Sequence, residues 1–169
     1  MKNQKHGKGE YLYVLSGEKY TGEFVEGKKH GNGVFVFSSG DVYRGSFDKG
    51  CKSGKGVIEF KSGSKFEGNW SQDLANGPGM LIYKNGDCYE GEFKNSKKHG
   101  YGNYKFKNGN VYEGEFKEDC FNGMGQLKFQ NNDFFEGLFK NNNKNGMGQY
   151  TYEDGDYYKG EWLDDKKDG

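Results

Sequence analysis

The side chains of this chain that could do chemistry are its histidines, cysteines and lysines. His6, His30 and His99 each begin a His-Gly-x-Gly phrase, where an imidazole could serve as a metal ligand or a general base. Because the three histidines share one position in a repeated phrase, repetition is enough to explain them. No recurring nucleophile or second ligand accompanies them. We predict no metal site and no catalytic residue.

The Gly-x-Gly phrases could cradle a nucleotide phosphate, and the cysteines could act as nucleophiles. Each Gly-x-Gly leads into a strand pattern rather than a helix, and the chain contains no G-x-x-x-x-G-K-[ST]. Cys51, Cys88 and Cys120 form no C-x-x-C pair and are typical of free thiols in a reducing compartment. We therefore predict a protein that is not an enzyme and needs no cofactor.

Lysines in the polar segments could bind anionic lipid, since a lysine near an anionic bilayer contributes roughly 1 kcal/mol. We expect these segments to emerge on one edge of a sheet and to form a lipid-contacting rim. The rim lysines are Lys28, Lys29, Lys49, Lys52, Lys97 and Lys98. Segment 71–76 has no lysine and Glu118–Asp119 is acidic, so the rim is interrupted. Tethering to an anionic membrane is therefore the alternative function.

These side chains are positioned by a sequence motif, which we call the phrase, that recurs every 23 residues. It consists of an aromatic residue, any residue, Gly, any residue and a second aromatic residue. It begins at positions 20, 43, 66, 89, 112, 135 and 158, with no insertion or deletion between repeats. A fixed period indicates one small unit stacked many times. We predict a single array over residues 1–169, with partial repeats at both ends, and a binding role.

One repeat, residues 43–65, shows how the unit folds. Alternating aromatics predict a strand, residues 48–53 a polar loop, the Gly-x-Gly segment a second strand, and residues 61–64 a tight turn. An odd-length turn would place Phe35 and Tyr43 on the same face. The predicted fold class is all-β, a single-layer antiparallel meander of repeated β-hairpins with one aromatic face.

Two details of the turns can also be predicted. The first hairpin is one residue longer than the others, so we expect an extra turn residue or a bulge near Val14–Ser16. The residue seven places after each leading aromatic tolerates left-handed backbone geometry in most repeats. These positions are Gly27, Gly50, Asp73, Ser96, Asp119, Asn142 and Asp165.

The aromatic face predicts a partner, because no helical period is present to cover it with a second layer. We predict that the middle repeats bind a protein segment, either an amphipathic helix or a second array, including a homodimer. The predicted contact residues are Tyr43, Phe47, Phe66, Trp70, Tyr83, Tyr89, Phe93, Tyr104, Tyr112 and Phe116.

Composition argues against other partners and against membrane insertion. The formal net charge is zero, and Arg44 is the only arginine, so recognition of nucleic acid is not expected. The first residues, Met1–Lys5, contain no apolar stretch, and no apolar run reaches membrane-spanning length. We expect neither a secretory signal nor a transmembrane segment.

The 23-residue period with Tyr-x-Gly-x-Phe/Trp, a polar segment and Gly-x-Gly resembles MORN repeats, the membrane occupation and recognition nexus family. The resemblance covers residues 6–169 and implies an elongated, curved or twisted sheet with an open aromatic groove. It also implies a cytoplasmic scaffold in a cytoskeletal, ciliary or membrane-associated assembly, and it makes phosphoinositides the anionic lipids to be expected in the alternative function. Because some family members carry the repeats beside an enzyme domain, a regulatory fragment of a larger enzyme is a further alternative.

Overall fold

The computed structural model describes residues 4–168, which form β-strands joined by short turns and contain no helix. The chain divides into two compact units, Met1–Lys84 and Asn85–Gly169. In the first unit the strands are β1 (Gly7–Tyr13), β2 (Glu18–Val25), β3 (Lys28–Val36), β4 (Val42–Asp48), β5 (Cys51–Glu59), β6 (Lys65–Ser71) and β7 (Leu74–Ile82).

In the second unit the strands are β8 (Cys88–Lys94), β9 (Lys97–Lys105), β10 (Val111–Lys117), β11 (Cys120–Lys128), β12 (Phe134–Lys140), β13 (Asn143–Thr151), β14 (Tyr157–Leu163) and β15 (Lys166–Asp168). Within each unit, every strand pairs antiparallel with the strands before and after it in sequence. The predicted all-β antiparallel meander is confirmed in both units. The single array over residues 1–169 stays a prediction.

The turn between β3 and β4 places the aromatic residues on one face, as predicted. Phe35 lies opposite Tyr43, and the Phe37 N–H donates to the Asp41 carbonyl at 2.9 Å. Three residues therefore close the turn. The first hairpin pairs Tyr13 with Glu18, which leaves four turn residues and confirms the expected extra one.

The other connection is shorter than the sequence indicated. A polar loop was predicted over residues 48–53, but Asp48 pairs with Cys51, so only Lys49 and Gly50 connect β4 to β5. Both have positive φ, 49° and 99°, as the tightest hairpin turns require. The predicted left-handed geometry seven residues after each leading aromatic is confirmed, with φ between 64° and 99°, and it extends to Ser96, the residue that fits such geometry least well.

The strands approach most closely at paired glycines under the leading aromatic of each repeat. Gly45 pairs with Gly56, and a Cβ added at Gly56 would lie 2.2 Å from the Tyr43 hydroxyl oxygen. Tyr43 is fully buried there. The register then shifts, so that Phe47 lies opposite Lys52. At this bulge the Tyr43 hydroxyl donates to the Ser46 carbonyl at 3.0 Å, which satisfies a backbone group that the ladder leaves open.

The leading aromatics and the second aromatics of the phrase form a buried layer that we call the floor rings. In the first unit these are Tyr20, Phe24, Tyr43, Phe47, Phe66 and Trp70. In the second unit they are Tyr89, Phe93, Tyr112, Phe116, Phe135, Phe139 and Trp162. Each leading ring meets second rings edge to face; Tyr43, for example, lies 5.2 Å from Phe47 and 5.3 Å from Trp70. Such pairs contribute about 0.5–1.5 kcal/mol each beyond area burial.

Candidate protein-binding face

The structure separates the ten predicted contact residues into two groups. Eight of them are floor rings, less than 9% exposed, because neighbouring rings cover them. The other two, Tyr83 and Tyr104, are half-buried. Of the predicted contact residues, therefore, only these two tyrosines are accessible from outside the protein. That any of the ten contacts a partner stays a prediction.

A second row of rings lies on the same face, beside the three-residue turns, and we call these the turn rings. They stand seventeen residues after each leading aromatic and are half-buried or exposed. The turn rings are Phe37, Phe60 and Tyr83 in the first unit and Phe106, Phe129 and Tyr152 in the second. Tyr104, although it is not a turn ring, packs beside one, with its centroid 4.6 Å from that of Phe106.

Lysines cover part of the same face, at the position nine residues after the leading aromatic and at its equivalent in the first hairpin. We call this row the lysine ladder: Lys5, Lys29 and Lys52 in the first unit, and Lys98, Lys144 and Lys167 in the second. Ammonium groups over ring faces gain about 0.5–1 kcal/mol at exposed sites and more when desolvated. Three of these lysines were predicted to lie on an edge of the sheet rather than on this face, although lysine recurs nine residues after the leading aromatic.

The ladder ammonium groups lie close to named rings. The Lys29 Nζ is 4.1 Å from the centroid of Phe35, and the Lys52 Nζ is 4.3 Å from that of Trp70. In the second unit the Lys98 Nζ is 4.9 Å from the centroid of Tyr104. Burial lowers the pKa of all three of these lysines, because it disfavours the charged form.

The predicted lysine rim therefore divides between two surfaces. Lys29, Lys52 and Lys98 belong to the lysine ladder on the aromatic face. Lys28 and Lys97 are exposed and directly precede ladder residues in strands, where successive side chains point to opposite faces. Lys49 is exposed in its two-residue turn. The strands run through the segments that were expected to be loops, and this accounts for the division.

The backbone of most ladder residues is hydrogen-bonded to the next repeat. The Asp73 N–H donates to the Lys52 carbonyl at 3.2 Å, and the Asp73 Oδ1 accepts the Lys52 N–H at 2.8 Å. Asp119 makes the same two bonds to Lys98, at 3.1 Å and 2.9 Å. Asp at the left-handed turn position therefore both tolerates the backbone geometry and fixes the neighbouring lysine.

Two repeats carry no lysine at the ladder position. Ala75, which lies opposite Trp70, is buried in the first unit. Phe121 occupies the position in the second unit and stacks on Tyr112, with centroids 3.7 Å apart and planes 12° apart. At these places the face is closed by apolar groups.

Carboxylates beside the three-residue turns have structural partners. The Tyr150 hydroxyl donates to Asp133 Oδ2 at 2.6 Å, and the Glu153 N–H donates to Asp133 Oδ1 at 3.0 Å. The bond from Tyr150 is the main cause that holds the pKa of Asp133 below its ordinary value. Asp87 binds the Lys107 N–H and the Tyr104 hydroxyl in the same way. These carboxylates fix the turn between successive hairpins.

Metal ligands, thiols and membrane-spanning helices are the other features to consider in residues 4–168. This range contains no group of three or more His, Cys, Asp or Glu side chains arranged to hold a metal ion. Its cysteines, Cys51, Cys88 and Cys120, are free thiols. No helix with the length and hydrophobicity needed to cross a membrane occurs in the described part of the chain.

The repeated hairpin, the paired glycines and the floor rings define a repeat protein built from 23-residue β-units with an accessible aromatic face. The MORN repeat family matches residues 1–14, 20–42, 43–65, 66–88, 89–111, 112–134, 135–157 and 158–169. The chain therefore belongs to the MORN repeat family, which confirms the resemblance. A comparison with curated proteins found no match.

Solved structures of other proteins have a similar fold at low sequence identity. The TCP domain of Drosophila melanogaster SAS-4 (dCPAP), in complex with a proline-rich motif of Ana2 (dSTIL), is 14% identical with a TM-score of 0.51. That match covers 78% of this chain and 72% of the other. The TCP10 domain of Danio rerio CPAP is 8% identical with a TM-score of 0.51, over 92% of this chain and 79% of the other. At these identities the likeness concerns the fold alone.

Proposed function

We propose that this chain is a non-enzymatic scaffold that binds a protein segment on its aromatic face. The observation that carries the proposal is the surface above the buried floor rings. Half-buried rings such as Tyr83 and Tyr104 stand there, and the Lys98 ammonium group lies over the Tyr104 ring. Aromatic side chains of this kind are enriched at binding hot spots, because they combine large contact area with a polar handle.

The kind of partner and its setting are parts of the same proposal. A helix and a second MORN array, including a homodimer, are the partners expected from the sequence. The SAS-4 structure, which holds a proline-rich motif, supports an extended segment as a third. Through the family resemblance, we place the scaffold in the cytoplasm, in a cytoskeletal, ciliary or membrane-associated assembly.

The test compares matched tyrosines on the two faces. The bait proteins are the wild-type chain, Tyr83→Ala/Tyr104→Ala on the aromatic face, and Tyr101→Ala/Tyr157→Ala on the opposite face, where both tyrosines are exposed. Proteins captured from the native cell are quantified by mass spectrometry. We expect a partner to bind the wild type and the opposite-face variant alike, and the aromatic-face variant at least about fivefold less, as loss of 1 kcal/mol requires.

Circular dichroism and thermal unfolding establish that all three baits are folded. If the two double variants capture the same proteins in the same amounts as the wild type, the aromatic face is not the binding site and the proposal fails. Loss of a partner only from the opposite-face variant would also contradict it.

Membrane tethering is a second candidate, and the observation that favours it is the exposure of Lys28, Lys49 and Lys97. Binding to anionic liposomes through such lysines should fall steeply as salt is raised. The variant Lys28→Met/Lys49→Met/Lys97→Met should abolish it. No liposome binding at low salt, or binding that salt and this variant leave unchanged, would exclude tethering through these lysines.

A further inference from the structure

A cavity of about 280 Å³ opens on the aromatic face of the first unit. Two consecutive ladder lysines, one repeat apart, line it together with three rings and two carboxylates. Its lining residues are Lys29, Lys52, Phe35, Phe37, Phe47, Glu18 and Asp73. The cavity therefore combines an aromatic surface with two cations.

The two ammonium groups have ring faces as neighbours but no ion pair. Among residues 4–168, no carboxylate oxygen lies within 4 Å of the Nζ of Lys29 or Lys52. The carboxylates that line the cavity are bound elsewhere. Asp73 accepts the backbone N–H of Lys52 at 2.8 Å, and Glu18 accepts the Ser16 hydroxyl at 3.0 Å. Burial, the largest cause, lowers the pKa of both lysines against a smaller opposing effect of the Asp73 charge, and the charge of Lys29 further lowers that of Lys52. A partner carboxylate would relieve both effects.

The spacing of the two lysines suits an extended chain. Lys29 lies in β3 and Lys52 in β5, two strands apart, which corresponds to about 10 Å between their backbones. A polyproline II segment repeats its orientation every three residues, with a rise of about 3.1 Å per residue, or roughly 9 Å per turn. Acidic side chains on every third residue would therefore meet successive ladder lysines, and aromatic surfaces suit the intervening prolines.

We propose that the cavity binds an acidic, extended protein segment, in which one carboxylate contacts Lys29 and the carboxylate three residues along contacts Lys52. Prolines or other apolar residues between the carboxylates pack on Phe35 and Phe37. This inference rests on the proposed function, since it names the chemistry of the segment that the aromatic face binds.

The experiment uses the whole chain and two synthetic probes. The first is a fluorescein-labelled peptide of repeated Pro-Pro-Glu triplets, and the second carries Gln in place of each Glu. Fluorescence anisotropy measures their affinity for the wild type, for Lys29→Met/Lys52→Met and for Lys28→Met/Lys49→Met. The two variants change net charge equally, but only the first removes cavity ammonium groups. Methionine keeps an apolar stem over the rings, so the floor stays covered.

We expect the wild type to bind the Glu peptide about tenfold more tightly than the Gln peptide, as two partly desolvated ion pairs would produce. The Lys29→Met/Lys52→Met variant should lose that preference, and the Lys28→Met/Lys49→Met variant should keep it. Raising the salt concentration should weaken only the Glu peptide.

Three outcomes would overturn the inference: equal affinity for the two peptides, no affinity for either, or equal losses in the two lysine variants. Binding of phosphatidylserine vesicles that depends on Lys29 and Lys52, without peptide binding, would assign the cavity to lipid and also overturn it. None of these results tests the scaffold proposal, which the tyrosine variants test separately. Failure of the acidic-segment inference can therefore be distinguished from failure of the scaffold proposal.

Discussion

The two units repeat the same hairpin but differ in what covers their floor rings. In the first unit the ladder position carries Lys29 and then Lys52, and both ammonium groups lie over rings. In the second unit the residues at this position are Lys98, Phe121, Lys144 and Lys167. The last two lysines have other partners, since the Lys144 Nζ lies 3.7 Å from Asp165 Oδ1 and the Lys167 Nζ donates to the Tyr152 hydroxyl at 2.8 Å. Phe121 stacks flat on Tyr112 where the first unit would present a second cation. One residue per repeat thus decides whether a stretch of the face is cationic or closed by a ring.

The aspartate seven residues after the leading aromatic makes different contacts in the two units. Asp73 and Asp165 each accept the N–H of their ladder lysine, at 2.8 Å and 2.9 Å. In the second unit Asp165 Oδ1 additionally lies 3.7 Å from the Lys144 Nζ, whereas Asp73 forms no ion pair with Lys52. The backbone bond is therefore shared by these two repeats, and the ion pair to the ladder ammonium group is present at Lys144 but not at Lys52.

The largest effect that we expect comes from homologous glycines with different surroundings. A Cβ at Gly102, in the second unit, would lie 2.5 Å from a ring atom of the fully buried Tyr89. At Gly9, in the first unit, the nearest atom would be 3.8 Å away. Gly102→Ala should destabilise the chain by about 2–3 kcal/mol, as overpacking of a fixed core does. Gly9→Ala should be neutral or slightly stabilising.

Denaturant unfolding of the two glycine variants provides the measurement. A matching loss for Gly9→Ala would show that the glycines are required for chain conformation rather than for the close approach of a ring. A stable Gly102→Ala variant would mean that Tyr89 has room to move.

The strands, the turn positions and the aromatic face could be predicted because the 23-residue period fixes their phase. The extra residue in the first hairpin could be counted directly. The two-residue turns could not be predicted, because their first residue is often one with no left-handed preference, as at Glu26 and Gln72, which have φ of 51° and 49°. Strand pairing imposes that geometry, and tertiary pairing leaves no local sequence signal.

The candidate site was harder to predict than the fold. Alternation identified which rings share a face, but it could not show that Tyr43 would be fully buried while Tyr83 stayed accessible. That difference depends on the register shift at the bulge, which places Lys52 opposite Phe47. Because residues 48–53 were assigned to a loop, the lysine was assigned to a rim rather than to the aromatic face.

A smaller effect is expected when the ladder position occupied by Phe121 is given a lysine. Phe121→Lys removes the stack on Tyr112 and part of the apolar cover, and should lower stability by about 1–2 kcal/mol. Made in the Lys29→Met/Lys52→Met background, it should restore part of the preference for the Glu peptide, because Lys98 and the new lysine are then one repeat apart. Anisotropy and denaturant unfolding measure the two effects.

The control for this substitution is Phe121→Met, which also loses the ring but adds no charge. It should destabilise the chain to a similar extent without any gain in peptide binding. Recovery of Glu-peptide binding by the Met variant would show that access to the floor rings, rather than the cation, governs the affinity. The difference in peptide binding between the two units would then be due to shape rather than charge.

The smallest effect concerns the leading ring, which is Tyr43 in the first unit and Phe135 at the same phase in the second. Burial raises the pKa of Tyr43 from 10.0 to about 12. Below pH 10 the hydroxyl is protonated in both the folded and the unfolded chain, and its contribution to stability is complete. Between pH 10 and about 12 the unfolded chain ionises first, so stability falls as the pH rises.

Tyr43→Phe should therefore lower stability by about 1 kcal/mol at neutral pH, because the bond to the Ser46 carbonyl is lost, and should make the alkaline decline shallower. Phe135→Tyr should steepen that decline, since it adds a phenol at the equivalent buried position. Denaturant unfolding across alkaline pH, with tyrosinate absorbance as the second readout, measures both. If the two substitutions change the slope of stability against alkaline pH in the same direction, burial of the leading hydroxyl does not control the alkaline loss of stability. The leading rings of the two units would then differ in more than the presence of this hydroxyl.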